Sequence, residues 1–164
     1  MKLNFDRMDR QISSVMGRWG IVGLKFSLAV IFIWFGLLKP LGLSPAESLV
    51  KQTVSWMPVF SAEQWLHVIG WWEVAIGATF LFRKTARVAI ALLALQMVGT
   101  FLPLAILPEV TFQAQGFPFA LTMEGQYIIK NMLIISSAMV VGGALRAAPP
   151  QPPGSLLPQG VDCQ

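Results

Sequence analysis

Seven polar side chains stand within or beside long apolar runs of the sequence, and they are the first candidates for chemistry. They are Lys25, Lys39, His67, Glu73, Gln96, Lys130 and Asn131. A charge at the centre of a bilayer costs about 3 kcal/mol on insertion scales, so such groups normally face other helices, pair with one another or line a wet cavity. Glu73 is the clearest case, because it interrupts the apolar run 65–82.

Glu73 has two possible lysine partners. It is predicted to lie about 12 Å below the outer end of its helix, whereas Lys130, with Asn131 beside it, lies about 5 Å below the outer end of another. A lysine stem can cover much of that difference if the helices are neighbours, and Lys39, at the outer end of the first run, is the alternative. In either pair Glu73 is the candidate catalytic residue, because a buried carboxylate can accept or donate a proton.

Structural roles are the alternative for the remaining polar residues. His67 precedes Glu73 by six residues and therefore lies off its face of the helix. Lys25, about 9 Å from the cytoplasmic end of its helix, can extend back to the headgroups. Gln96 is a candidate ligand-binding residue, but hydrogen bonding across the helix bundle together with Thr100 is slightly favoured.

Two glycines flank the acid. Gly70 and Gly77 are two turns apart, and Glu73 lies between them. A face of small residues lets a neighbouring membrane helix approach closely. The sequence therefore predicts that Gly70 and Gly77 pack against another helix and that Glu73 points into the bundle.

The elements that must position these residues are membrane helices. Of the 164 residues, 55% are hydrophobic and 12% charged, and the mean hydropathy is +0.64, which is too apolar for an ordinary soluble domain. Four runs approach the ~20 residues that cross a bilayer, and in lipid such runs must be helical. These runs are 19–38, 65–82, 88–107 and 127–145. They predict an all-α fold, an integral membrane four-helix bundle over residues 19–146.

The distribution of basic residues predicts the orientation of these helices. One side would carry Lys2, Arg7, Arg10, Arg18, Arg83, Lys84, Arg87 and Arg146, and the other side only Lys39 and Lys51. The positive-inside rule then places both termini in the cytoplasm. The net charge of +4 forms no basic stripe with interleaved aromatic residues, so nucleic acid is not an expected partner. The expected partners are the lipid bilayer and other membrane subunits or copies of the chain.

Three further segments surround the bundle. Residues 1–18 alternate apolar and charged positions and predict an amphipathic helix lying on the cytoplasmic leaflet. In the first outer loop, Ser44 to Glu47 reads as a capping box that starts a short helix over residues 45–56, and Ser61 to Gln64 repeats this pattern before the second run. The Pro-rich tail 147–164 has the composition of a disordered segment.

Intrinsic cofactors and metals are not expected. The sequence holds a single histidine and a single cysteine, and it contains none of the common nucleotide or zinc motifs.

Several motifs resemble a known family of membrane proteins. Gly70-x-x-Glu73-x-x-x-Gly77, followed by the segments 83–87 and 91–97, resembles the second and third helices of the DoxX-like superfamily. The first run ends in a glycine and a lysine, Gly36 and Lys39, as in that family. The segment 124–131 is similar to the start of the last helix in the YkgB-like branch. The resemblance covers residues 25–143, and it depends on the order and spacing of these motifs together.

The resemblance implies a four-helix inner-membrane protein associated with respiratory or redox functions. Lys39, Glu73 and Lys130 become its matched polar positions, without a mechanism that can be carried over. The first hypothesis is therefore a quinone- or redox-associated subunit, and the second is a non-catalytic accessory subunit of a larger membrane complex. A third is a small transporter, for which the polar residues are few.

Overall fold

The fold is all-α over the part of the chain that the structure describes. The computed structural model describes residues 2–145, with side chains from residue 6 onward. Its seven helices are α1 Lys2–Leu38, α2 Glu47–Val54, α3 Ala62–Leu81, α4 Ala86–Phe101, α5 Pro103–Ile106, α6 Pro108–Thr111 and α7 Met123–Ala144. Within residues 2–145 the only β-type pairing is an isolated bridge between Phe112 and Leu121. The tail predicted for 147–164 lies outside the described residues.

Three helical segments are long and apolar enough to cross a membrane. They are Asp6–Leu38, Ala86–Ile106 and Met123–Ala144. Helix α3 has 20 residues, but it carries Glu63, His67 and Glu73, which offset its apolar residues. The chain therefore has helices that are compatible with a membrane protein, and the acid lies in a long helix that is not one of these three.

The four long helices pack so that each has two neighbours. Helix α1 packs most extensively on α3, α3 packs on α4, α4 on α7, and α7 on α1. The core between them is apolar and consists of Leu28, Ala29, Phe32, Ile76, Phe80, Ala89, Leu93, Met97, Ala138 and Val141. A polar group in this bundle therefore meets apolar side chains unless another polar group is placed beside it.

Glycines bring α1 and α3 into backbone contact. A Cβ atom on Gly77 would lie 2.7 Å from the carbonyl oxygen of Ala29, and a Cβ on Gly70 would lie 2.8 Å from that of Gly36. These distances are shorter than any comfortable contact of a Cβ, so the interface requires glycine at both positions. The predicted packing role of Gly70 and Gly77 is confirmed, and the antiparallel neighbour is α1.

The predicted start of α3 is confirmed in detail. The Ser61 hydroxyl accepts a hydrogen bond from the Gln64 backbone at 3.2 Å, and the Gln64 side chain accepts one from the Ser61 backbone at 3.0 Å. The corresponding prediction for Ser44 is wrong, because α2 begins at Glu47, after Ala46, without a side-chain cap. Helix α2 also ends at Val54, two residues earlier than predicted.

The third and fourth predicted spans also have different bounds in the structure. The third span, 88–107, is interrupted after Phe101, because Pro103 cannot continue the hydrogen-bond ladder of α4 and instead begins α5. The fourth span, 127–145, begins earlier, at Met123. There Thr122 accepts a hydrogen bond from the Gly125 backbone at 3.1 Å and so caps α7.

The boundary predicted at residue 18 does not separate two helices. Residues 1–18 were expected to form their own helix on the membrane surface, whereas α1 runs without a break from Lys2 to Leu38. No proline occurs in this stretch, and Gly17 and Gly20 weaken a helix without ending it. The amphipathic segment is thus an extension of the membrane helix.

Candidate functional site

Three polar side chains from three helical regions meet at Glu73. Lys39 Nζ lies 2.5 Å from Glu73 Oε2, and Gln96 Nε2 donates a hydrogen bond of 3.1 Å to Glu73 Oε1. Lys39 follows α1, Glu73 lies in α3 and Gln96 in α4. We refer to these three residues as the Glu73 cluster.

The close contact of α1 and α3 positions the ion pair. Gly36 faces Glu73, since a Cβ on Gly36 would lie 3.0 Å from the Glu73 Cβ. One turn later, Lys39 enters a tight turn in which its carbonyl oxygen accepts a hydrogen bond of 3.1 Å from Gly42. Gly42 has a φ of +68°, which a side chain would disfavour. Lys39 is therefore held at the C-terminal end of α1, directly opposite Glu73.

The third member comes from the packing of α3 on α4. Leu93 and Met97 are buried in the core, and Gln96 lies beside Met97 at the edge of that face. Leu92 lies one turn before Gln96 on α4, and its carbonyl accepts a hydrogen bond of 3.3 Å from Trp72 Nε1. This hydrogen bond fixes α3 against α4 next to the acid. The amide of Gln96 is thereby placed on the Glu73 oxygen that Lys39 leaves open.

Burial makes the charges of the cluster interdependent. The side chains of Lys39 and Glu73 are only 7% and 13% exposed. In such surroundings a lone charge is strongly disfavoured, whereas a hydrogen-bonded pair is tolerated. Both carboxylate oxygens of Glu73 have a partner, so removing either Lys39 or Gln96 would leave a polar atom among apolar side chains.

Lys130 does not reach Glu73. It is exposed, and its ammonium group lies 5.0 Å from the centre of the Tyr127 ring. Asn131 donates hydrogen bonds to carbonyl groups of its own helix, to Tyr127 at 2.9 Å and to Ile128 at 3.2 Å. The alternative of a Glu73–Lys130 pair is therefore wrong for this structure, and Lys39 is the partner.

His67 and Lys25 also lie apart from the cluster. His67 is exposed and lines an open depression with Phe60, Glu63 and Val68. Lys25 is partly buried at the opposite end of the bundle from Glu73, since it lies fourteen residues before Lys39 on the same helix. Neither residue can take part in chemistry at Glu73 in this arrangement.

A second charged group, not predicted from the sequence, joins α2 to α3. Lys51 Nζ lies 2.6 Å from a carboxylate oxygen of Glu47 and 2.6 Å from one of Glu63. The hydrogen bond to Glu47 and, second in size, the hydrogen bond to Glu63 raise the pKa of Lys51 above the ordinary value of a lysine. The spacing of Glu47 and Lys51, four residues apart on a helix, was a usable signal for half of this group.

Two kinds of ligand site, a metal site and a site for a small organic molecule, can be compared with the described residues. Within residues 2–145, no three His, Cys, Asp or Glu side chains gather as a metal site requires. The Glu73 cluster places an ammonium donor, a carboxylate and an amide side by side, with the Trp72 ring adjacent in sequence and packed on the core. A few polar groups beside aromatic side chains are the kind of groups that orient a small-molecule ligand.

Comparison of the chain with protein-family models, with curated proteins and with solved structures finds no match. The resemblance to the DoxX-like superfamily therefore stays a prediction from the motifs.

Proposed function

We propose that the chain is an integral protein of the inner membrane in which α1, α3, α4 and α7 all cross the bilayer. The support is that α3 packs between α1 and α4, so its buried acid Glu73 need not face lipid. Basic residues gather at one end of the bundle, at Arg18 and at 83–87, which favours cytoplasmic termini. The Glu73 cluster then lies in the outer half of the membrane.

For its activity, we infer a redox- or quinone-associated membrane subunit of the DoxX-like type. The observation that carries this proposal is the Glu73 cluster itself. A buried ion pair adds little net stability, because desolvation of the two charges offsets their attraction. An ionisable pair kept inside a membrane bundle is therefore better explained by a task that needs a proton or a charge at that place.

The cluster offers a defined division of labour. A quinone supplies a two-electron redox couple whose oxygens take up and release protons. Glu73 is the group that can hold or release a proton at its carboxylate, and Lys39 can donate a hydrogen bond to a neighbouring oxygen. Gln96 fixes the second carboxylate oxygen. The electrons come from a redox partner.

Quinone content after purification tests this proposal. The wild type, Glu73→Gln and the control Lys130→Met would be purified in mild detergent with their lipids, and the quinone extracted and quantified. Quinone in the wild type and the control, with little in Glu73→Gln, supports the proposal. Equal quinone in all three proteins, or none in the wild type, contradicts it.

A second candidate is a non-catalytic accessory subunit, with the cluster as a structural connection. The observation that favours it is that both Glu73 oxygens already have partners within the bundle. Under this proposal Lys39→Met with Glu73→Gln would restore the stability that each single change removes, and the doubly changed protein would still assemble with its partners. If the doubly changed protein were stable and assembled but inactive, the result would favour the proton role of Glu73 over the structural one.

A further inference from the structure

The cytoplasmic extension of α1 carries a long apolar seam that nothing in the described chain covers. Every side chain from residue 6 to residue 20 is exposed, and Gly17, Gly20 and Gly23 have no atom near the place of a Cβ. The extension begins at Lys2, and the first residue packed on the core is Leu24. About 22 residues, or roughly 33 Å of helix, therefore project from the bundle.

The seam follows the spacing of a coiled coil. Its residues alternate four and three apart along α1, and each is 55% to 63% exposed. They are Met8, Ile12, Val15, Trp19, Val22 and Phe26. This is a heptad pattern with Ile12, Trp19 and Phe26 at one core position and Met8, Val15 and Val22 at the other.

We propose that α1 of two copies of this chain pairs as a parallel coiled coil along this seam. A two-fold axis normal to the membrane keeps both chains in the same orientation and brings identical seams together. Six side chains that are each more than half exposed offer roughly 700 Å² of apolar surface per chain, close to the ~800 Å² per partner of a standard interface. The apolar area of the seam is thus close to what a stable dimer needs.

The two halves of the seam contribute differently. Met8, Ile12 and Val15 lie among charged residues beyond the apolar span, where water makes their burial favourable. Val22 and Phe26 lie in the apolar span, where packing and close approach replace the hydrophobic effect, and Gly23 beside them leaves room for a neighbouring backbone. Trp19 lies between the two halves.

A second copy explains the seam better than a lipid surface does. From residue 6 to residue 26, all the large exposed apolar residues except Met16 follow the heptad. Such a narrow stripe is typical of a coiled coil, whereas a helix lying on a membrane has a broad apolar face. The extension also continues the axis of a membrane-crossing helix without a break, so it points away from the bilayer. An isolated helix with three glycines would be marginal, and pairing supplies the missing contacts.

Disulfide crosslinking in native membranes tests the proposal in the full chain. With Cys163, the single cysteine, changed to serine, Val15→Cys puts a thiol in the seam, and the control Ser14→Cys puts one outside the seam, about 100° around the helix from residue 15. Under a mild oxidant, the dimer yield of Val15→Cys should exceed that of Ser14→Cys on the order of tenfold, because only the seam position is held at disulfide distance. Equal yields, or no dimer, would overturn it.

A second measurement distinguishes pairing of two copies from binding of the extension to the lipid surface. A fluorescent probe attached at Val15→Cys would be quenched by brominated lipids if the extension lay on the bilayer, and that result without crosslinking overturns the proposal. Adding Ile12→Lys to Val15→Cys should abolish the dimer, while the extraction behaviour of the bundle stays unchanged, since residue 12 is exposed and lies outside the bundle core. This inference does not depend on the role of Glu73.

Discussion

The two halves of α1 differ in almost everything except their secondary structure. From residue 24 to residue 38 the helix packs on α3 so closely that Gly36 and Gly70 meet backbone to backbone. From residue 6 to residue 20 the same helix has only exposed side chains. Both halves contain glycines and apolar stripes, so neither feature alone reveals whether a helix face is covered. What distinguishes the packed half is the polar partner at its end, Lys39 on Glu73.

The largest expected effect comes from breaking that ion pair. Glu73→Gln leaves the buried Lys39 ammonium without its counter-charge, and we expect a loss of about 3–5 kcal/mol in the free energy of unfolding. The measurement is an unfolding titration in mixed detergent and SDS micelles. Arg10→Met, in the uncovered half of α1, is the control and should change the unfolding free energy by less than about 0.5 kcal/mol.

The same titration on Lys39→Met with Glu73→Gln sharpens the result. The doubly changed protein should recover a large part of the loss, because two apolar or neutral groups replace two charges at once. If the losses of the single variants simply added, the two side chains would not be acting as a pair.

A smaller effect is expected from matched glycine substitutions in the two halves. A Cβ on Gly36 would lie 2.8 Å from the Gly70 oxygen and 2.9 Å from the Val74 nitrogen, and backbone atoms cannot move aside cheaply. Gly36→Ala should therefore destabilise the protein by about 1–3 kcal/mol. Gly20→Ala meets open space and should stabilise the helix by up to about 1 kcal/mol. Equal melting temperatures for the two variants would contradict the comparison between the halves.

Lys130→Met should have a smaller effect still. The contact of Lys130 with the Tyr127 ring is exposed, and such contacts contribute about 0.5–1 kcal/mol. The unfolding titration should therefore separate this variant from Glu73→Gln by several-fold in free energy. A loss as large as that of Glu73→Gln would mean that Lys130, and not Lys39, balances the acid.

The smallest effect should come from Lys51, and it should depend on pH. Because the pKa of Lys51 is raised in the folded protein, its stabilising contribution is fully present below pH 10.5 and is lost as the pH rises through the folded pKa. Melting temperatures of the wild type and Lys51→Met should differ slightly at neutral pH and converge in strong alkali. A difference that persisted there would exclude the ionised lysine as its cause.

Much of the fold followed from local sequence features. The apolar runs predicted the helices, and the capping pair at Ser61 predicted the start of α3, because both depend on residues close together in the chain. Gly70 and Gly77 correctly placed Glu73 inside the bundle. The interruption after Phe101 was missed, although Pro103 was visible, because the apolar composition continues through it.

The partner of Glu73 could not be predicted from depth along the helices alone, because it also depends on how each helix is rotated about its axis. Lys130 had a suitable depth, but Ile128 is the buried residue of that turn, and two positions further along the helix point about 200° around its axis. The rotation of α7 therefore turns Lys130 outward. Gln96 was undervalued for the converse reason, since its place beside the buried Met97 turns its amide toward α3.

The central claim is that Glu73 exchanges a proton in a redox reaction, and an infrared redox-difference spectrum of the membrane-embedded protein tests it most directly. With quinone present, reduction and reoxidation should produce a carboxyl C=O band that shifts in D₂O and is absent in Glu73→Gln, while Lys130→Met retains it. A spectrum in which wild type and Glu73→Gln are identical would show that the acid keeps one protonation state throughout, and the cluster would then be structural only.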